Sequence, residues 1–446
     1  MSGADQRVGG LLALAVEAYG RGEFQAVILA GQTARQIDPG NAAACNLMGL
    51  ATFALGDHAA AVAHLQAAVA LDPGDAQYAN NLGVVLHALG EAAQARPAFE
   101  QALALDPQMA HAANNLGSVL EKLGDDAAAI HSYRRALEID PAYVEARDNL
   151  VLICARVAPQ WHFPMMADGA RNGAYAEAIA RAVPGRRVLD IGSGSGLLAM
   201  MAARAGAASV DTCEMQPVIA GVAAGIVAAN GFAGRVGVWS LKSDELEVGR
   251  ELAAPAEVLV TETFSSGLLS ERVLPTVEDA HSRLLAPDAV IVPRRAAAVG
   301  YLLGGPIVER HLFAAPWGDL DLSGFNVLAP FKLGLHLDRL PHEALSADFD
   351  IFSFDLTRPP FPAERRQIEV EATAAGRCVG VAQWLRLDLD ETLTYENRPS
   401  AGAGANGWMH VMYRFARPVE VAAGDRLSLI VSHNRTEIVV ALAEAA

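Results

Sequence analysis

Aspartate-proline pairs recur at Asp38-Pro39, Asp72-Pro73, Asp106-Pro107 and Asp140-Pro141, each 34 residues beyond the one before. So strict a beat means one small unit used again and again, because a single folded core has no reason to repeat its punctuation. Glycines keep the same interval at Gly22, Gly56, Gly90 and Gly124. Each unit reads as a helix, a glycine-centred turn, a second helix and a proline stop, as in ANNLGVVLHALGEAAQARPAFEQALALDP. Small residues fall where the paired helices must approach: Gly49, Gly83 and Gly117 on the first helix, Ala61, Ala95 and Ala129 on the second. One unit cannot bury its apolar face alone, so the stack needs a cap, and Tyr143 to Val157 supplies one more helix. Pro97 falls inside a second helix and is expected to bend it locally.

This period and punctuation resemble the tetratricopeptide repeats, with four units over residues 8–157, the first degenerate. Asn81, Asn115 and Asn149 take one position on successive first helices, and the resemblance implies that this position faces the concave side. Two readings of these amides stand level. They hydrogen-bond the backbone of an extended peptide substrate, whatever its sequence, or they bond neighbouring helix backbone. The repeats put the function of this half in recruitment and name no partner.

The net charge of −17 is spread along the chain, which excludes nonspecific binding to nucleic acid, since that takes a basic face. A basic protein or peptide fits better. Cys45, Cys154, Cys213 and Cys378 lie far apart without a CxxC pair, so neither a metal site nor a disulfide framework is expected. The opening MSGADQRVGG lacks the order of a signal peptide, and no run of ~20 apolar residues follows. The expectation is a soluble cytoplasmic protein with no membrane segment.

Beyond the cap the pattern changes to GRRVLDIGSGSGLLAMMAARAGAASVDTCEM. Val188 to Ile191 reads as a strand, Gly192, Gly194 and Gly196 as a turn, and Leu197 to Ala205 as a helix, which together open a nucleotide-binding β-α-β unit. A dinucleotide site wants GxGxxG, but Leu197 stands at its third glycine and Asp190 precedes the first. The GxGxG form behind an acid resembles the S-adenosylmethionine (SAM) methyltransferases. That resemblance assigns Asp190, Gly192 and Gly194 to the cofactor. Glu214, at the end of the next strand, is placed to accept from both ribose hydroxyls.

In VLVTETFSSGLLSE, Glu262 and Glu271 are nine positions apart across a loop that follows a strand, Glu257 to Val260. This resembles the double-glutamate loop of the protein arginine methyltransferases. The intervening TFSSGLLS is more similar to the branch with repeats ahead of the catalytic part, or to the monomethylating branch, than to the asymmetric dimethylators. The pair makes chemical sense. A guanidinium keeps its charge and delocalises it, so its nitrogens are poor nucleophiles. Two carboxylates can orient it and draw positive charge to one side, leaving the other nitrogen to face a sulfonium methyl. Glu262 and Glu271 are therefore the catalytic candidates.

HFPMMADGARNGAY fits the same family's Met-x-x-Asp-x-x-Arg-x-x-x-Tyr helix with Met165, Asp168, Arg171 and Tyr175. The resemblance implies that Arg171 holds the SAM carboxylate, that His162 lies near the same end and that Met165 packs beside the sulfonium. VWSLKSDELEV resembles the adenine-binding segment, which gives Ser243 and Asp244 as contacts to the adenine amine. NGWMHVMYRF resembles a barrel segment in which Trp408 walls the arginine channel. Most members carry a histidine before that tryptophan, paired with the helix aspartate. Here Gly407 takes its place and Asp168 lacks that partner.

From Arg294 the periodicity drops to two, in AAAVGYLL, FDIFSFDL, RQIEVEATA, VAQWLRLDLD, MHVMYRFA and DRLSLIVSH. The expected architecture is thus multi-domain. An α-helical tetratricopeptide solenoid comes first, then an α/β Rossmann-like SAM-dependent methyltransferase core over residues 158–294, then an antiparallel β-barrel over 295–446. Room remains for one catalytic module, and such enzymes pair head to tail through an arm, for which Gly304 to Phe325 is the candidate. The resulting expectation is a homodimeric, SAM-dependent methyltransferase acting on arginine side chains of proteins. Two rivals stand beside it: methylation of another nucleophile, and a repeat scaffold with a vestigial domain. Asp190, Glu214, Glu262 and Glu271 surviving together speak against decay.

Overall fold

The computed structural model describes residues 3–159, 162–400 and 408–443. The chain divides into two compact units, Met1–Pro159 and Gln160–Ala446. The first is helical throughout: α1 (Gly3–Gly20), α2 (Phe24–Ile37), α3 (Ala42–Ala54), α4 (His58–Leu71), α5 (Ala76–Ala88), α6 (Ala92–Leu105), α7 (Ala110–Lys122), α8 (Asp126–Ile139) and the capping α9 (Val144–Val157). Asn41, Asp57, Asp75 and Asp125 cap their helices by accepting backbone N–H bonds, which fixes where each starts. Inside the pairs the absent side chains of the repeated glycines are filled by a neighbour. A Cβ on Gly49 would meet Leu65, one on Gly83 the ring of Phe99, and one on Gly117 the ring of Tyr133. Phe99 and Tyr133 are buried, so these close approaches lock together the two helices of each unit. Helix α6 runs unbroken through Pro97.

The second unit opens with α10 (His162–Met166) and α11 (Gly169–Ala182). The segment expected as one helix is therefore two, broken at Asp168, whose carboxylate accepts from the Arg171 N–H and caps α11. A parallel sheet follows from β1 (Arg187–Ile191), α12 (Leu197–Arg204), β2 (Ser209–Cys213), α13 (Pro217–Ala229), β3 (Val236–Trp239), β4 (Ala256–Thr261), α14 (Val273–Arg283) and β5 (Leu285–Val292). Its order is β3-β2-β1-β4-β5. Chain order reverses between β1 and β4, and in such sheets ligands bind outside the carboxyl ends of the strands at that switch point. The glycine loop follows β1 and Glu262 follows β4, so both lie there.

The rest is antiparallel: β6 (Arg295–Gly304), α15 (Pro306–Leu312), β7 (Lys332–Leu335), β8 (Glu343–Ala344), β9 (Phe349–Asp355), β10 (Glu364–Glu371), β11 (Gly376–Asp388), β12 (Thr394–Glu396), β13 (His410–Val421), β14 (Arg426–His433) and β15 (Ile438–Leu442). One sheet runs β7-β13-β11-β6-β8, with β12 on β11 and β9 on β6, and a second runs β10-β14-β15. The sequence suggested a closed barrel. Among the described residues the two sheets instead share one core without a ladder joining them, because β13 and β14, though consecutive, take different partners. The candidate arm, Gly304 to Phe325, is of two kinds. Its first part forms α15, which buries Val308 and Leu312 in a second core, while Trp317, Leu320, Phe325, Val327, Leu328 and Phe331 stand exposed beyond it.

Candidate active site at the ends of β1 and β4

Asp190 is 1% exposed in β1, and its Oδ2 accepts from Thr212 Oγ1 at 2.8 Å while Oδ1 has no partner. Burial pushes this carboxyl up to about 7, against the pull of the Thr212 bond. Gly192 follows with φ of 91°, and a Cβ there would run into Thr263 of the facing loop, so glycine alone keeps that crevice open. At the end of β2, Glu214 accepts from the Gly194 N–H at 3.2 Å and from the Gln216 N–H at 3.0 Å, which fixes its carboxylate against the glycine loop. Ser243 and Asp244 sit on a short 3₁₀ turn beyond β3, and the Asp244 charge is felt at Cys213 under the same rim.

The Glu262 side chain, 5% exposed, meets the Arg171 side chain, 4% exposed, with Arg171 Nη2 to Glu262 Oε2 at 2.7 Å. The pair leaves Glu262 Oε1 and Arg171 Nε buried without partners. Burial raises Glu262 to about 7, opposed by Arg171 and reinforced by the charges of Glu271 and Asp190. Glu271 reaches solvent at the far end of the loop. Its carboxyl is also held above the ordinary range, by the protein packed around it and then by the charge of Glu214. The loop between them is tied down from several sides. Thr261 Oγ1 donates to the Ile191 carbonyl, Tyr175 to the Thr261 carbonyl, and Gln383 of β11 to the Ser266 carbonyl. Leu268 and Arg272 take the left-handed backbone region on either side of Glu271, a strained arrangement of the kind that collects at functional sites.

Asp190, Glu214, Glu262 and Glu271, the four acids noted in the sequence, are thus gathered around the switch point with Arg171. His162 and Met165 lie on α10, ahead of the Asp168 cap. Trp408 is 6% exposed and packed into the main core of the unit with its Nε1 unpartnered. Gly407 lies outside the described residues. Two sets of residues were not anticipated. The Tyr395 hydroxyl donates to Asp168 Oδ2 at 2.7 Å. In the repeats, Asn81 Nδ2 donates to Asn46 Oδ1 at 2.9 Å and Asn149 Nδ2 to Asn114 Oδ1 at 3.0 Å, so the amides bond each other rather than helix backbone. The doubled Asn80-Asn81 and Asn114-Asn115 pairs, on the repeat beat, could have signalled that ladder. Nothing local marks Tyr395. Among the described residues no group of His, Cys, Asp or Glu is arranged to hold a metal ion, and no helix is long and apolar enough to cross a membrane.

An acid-rich crevice at the switch point of a Rossmann-like sheet, behind a GxGxG turn, defines a SAM-dependent methyltransferase, here preceded by a helical repeat array. Tetratricopeptide repeat models match residues 40–108 and 82–144, and a model described as ribosomal protein L11 methyltransferase (PrmA) matches residues 177–281. An arginine N(omega)-methyltransferase of Streptomyces achromogenes subsp. streptozoticus is 38% identical over 279 residues, 62% of this chain and 77% of that protein. Protein arginine N-methyltransferase 7 of Oryza sativa subsp. indica is 33% identical over 315 residues, 62% of this chain and 44% of that protein. The Trypanosoma brucei PRMT1 enzyme-prozyme complex with AdoHcy shares the fold, with TM-score 0.55 at 21% identity over 63% of this chain and 92% of that one. The chain belongs to the arginine N-methyltransferase family.

Proposed function

We propose that the chain transfers the methyl group of SAM to guanidinium nitrogens of arginine in a protein recruited by the repeats. The observation that carries this reading is the buried Arg171–Glu262 pair, which occupies one oxygen of Glu262 and leaves the other unsatisfied beside Glu271. A guanidinium is the group such a site lacks. The crevice also fits the donor. Gly192 leaves backbone bare, Glu214 is already oriented by two N–H groups for ribose hydroxyls, and Arg171 Nε is buried and unpartnered, as a carboxylate would require. SAM, when bound, supplies an electrophilic methyl on a cationic sulfur. Both reactants are cations, and the acids Asp190, Glu214, Glu262 and Glu271 outnumber Arg171, an electrostatic arrangement set before either arrives.

Glu262 and Glu271 would hold the guanidinium and polarise it. Glu262 Oε1, on a carboxyl raised to about 7, is suited to take the proton that the nitrogen sheds as it is methylated. For the remaining roles, His162, Met165, Ser243 and Asp244 complete the donor site and Trp408 backs the channel. The antiparallel sheets act as the family's barrel.

In the repeats, the ladder has one unmade rung: Asn115 makes no bond to Asn80, whose Oδ1 is buried without a partner. That favours Asn115 as the amide offered to a peptide backbone. A homodimer in the cytoplasm is the assembly we favour, supported by the exposed apolar arm, where Trp317 is 76% and Val327 86% exposed. Sedimentation of the whole chain and of a variant lacking residues 314–331 tests it. Equal mass and equal activity of the two would refute it.

A second reading has its own support. The name of the Streptomyces relative specifies arginine and not protein, so a free arginine-like acceptor is the rival substrate. Mass spectrometry after incubation with isotope-labelled SAM decides between them, with an arginine peptide, free arginine and a lysine peptide offered in parallel. Label on the lysine peptide alone would overturn both.

A further inference from the structure

One hairpin of the antiparallel half grips helix α11 at both ends. At its start, Tyr395 donates to Asp168 Oδ2, while Asp168 Oδ1 accepts from the Arg171 N–H at 2.9 Å. At its close, Arg181 Nη1 donates to Asp390 Oδ2 at 2.8 Å and to Thr392 Oγ1 at 2.9 Å. Asp390 and Thr392 belong to the turn between β11 and β12, and Tyr395 is the middle residue of β12, paired with Leu387. Strand alternation settles which side chain turns inward: Thr394 and Glu396 are exposed, and Tyr395 is 6% exposed.

We infer that Tyr395 is a positioning residue, which through Asp168 fixes the first turn of α11 and with it the buried Arg171 guanidinium that pairs with Glu262. The inference rests on the reading of this crevice as the donor site. Asp168 has two oxygens with separate tasks. Oδ1 caps the helix, which a carboxylate can do in more than one orientation, and Oδ2 bonds Tyr395, which selects one. Without that choice the first turn can shift, and Arg171 sits in it. Tyr395 is moreover neutral, and burial, together with its bond to Asp168 and that residue's charge, pushes its hydroxyl further from ionising. A histidine in this place would change charge near neutral pH. The tyrosine tie holds unchanged over the range in which Glu262 titrates.

The test is calorimetry of S-adenosylhomocysteine binding to the full chain. Tyr395→Phe removes one oxygen and should weaken Kd about tenfold, by the same factor at pH 6 and pH 8. In an Asp168→Ala background the same change should weaken it no further, since the two residues act as a unit. A residue that only supported folding would lower the number of binding sites per chain and leave Kd unchanged. That result, or additive losses in the double variant, would overturn the inference. If the wild-type chain itself binds no S-adenosylhomocysteine, the donor-site reading fails first and this inference falls with it.

Discussion

In the repeat array a close approach is made by residues 16 apart, Gly49 with Leu65, and the same approach recurs at Gly83 with Phe99 and Gly117 with Tyr133. In the catalytic unit the bonds that shape the site join Asp168 to Tyr395 and Arg181 to Asp390, positions separated by 227 and 209 residues. The first region is held by many copies of one local contact. The second is shaped at its site by contacts each made once, between positions far apart in the chain. Damage should therefore stay local in the array and spread in the catalytic unit, where the same residues serve fold and chemistry.

The severest test of that contrast is Gly380→Ala. Gly380 sits in β11 where β13 passes so closely that a Cβ would collide with the Tyr413 carbonyl, a backbone atom that cannot swing aside. We expect the catalytic unit to lose its cooperative melting transition while the helical signal of the array survives. A variant that melts like wild type would show that the sheet yields more easily than its packing implies.

Next come the carboxylates. Glu271→Gln keeps the shape and removes the charge, so kcat on an arginine acceptor should fall by about 10²–10³-fold while S-adenosylhomocysteine affinity stays put. Glu262→Gln should lower kcat as far and also weaken that affinity, because it leaves Arg171 without its ion pair. Equal behaviour of the two variants would erase the distinction between the buried and the open glutamate. Wild-type rates in both would mean that arginine is not the nucleophile.

The pH dependence gives activity and stability opposite signs. Glu262 must be ionised to grip a cation, so kcat/KM should drop about tenfold per unit as pH falls below about 7. For folding, the Glu262 carboxyl is raised from 4.5 to about 7, so the native state holds a proton that the unfolded chain has released. The stability it contributes is complete below about 4.5 and is lost as pH rises through about 7. Asp190, raised from 3.8 to about 7 by its burial, acts in the same direction. Melting temperatures of the apo chain at pH 5.5 and 7.5 check the sign, and Glu262→Gln should flatten the difference.

The two regions also differed in how far they could be read in advance. A contact at fixed spacing writes itself into the sequence, so the repeats, their glycines and the cap were legible residue by residue. The glycine turn and the spaced glutamates were legible because each lies within one strand-loop-helix segment. Tyr395 was not, since a three-residue strand has no periodicity and its partner lies in another part of the chain. The break at Asp168 was missed because the match to a single helical motif hid a cap that the Asp-x-x-Arg spacing also permits. Closure of the barrel was overread. Alternation marks strands but does not say which edges pair.

Within the array the expected effects are small. Gly83→Ala places a Cβ 2.8 Å from the Phe99 ring, and the buried ring must move. The array should lose about 1–3 kcal/mol, less the ~1 kcal/mol that alanine restores as a helix former, with methylation of a short arginine peptide untouched. A loss of peptide methylation would mean that the halves are coupled more tightly than nearest-neighbour packing allows.

The smallest expected effect tests the division of labour itself. Asn81 and Asn149 are already bonded to Asn46 and Asn114, so removing either disturbs the ladder as well as any ligand. Asn115 makes no bond to Asn80, which makes Asn115→Ala the cleaner probe. If this amide meets the backbone of a recruited protein, its loss removes one or two neutral hydrogen bonds made far from the reacting centre. KM for that protein should rise roughly threefold to tenfold with kcat unchanged, the pattern of lost uniform binding. A short arginine peptide, and free arginine, should respond identically in wild type and variant. A KM that rises for the short peptide as well would place Asn115 in the path of every acceptor, and recruitment by the repeats would no longer be separable from catalysis.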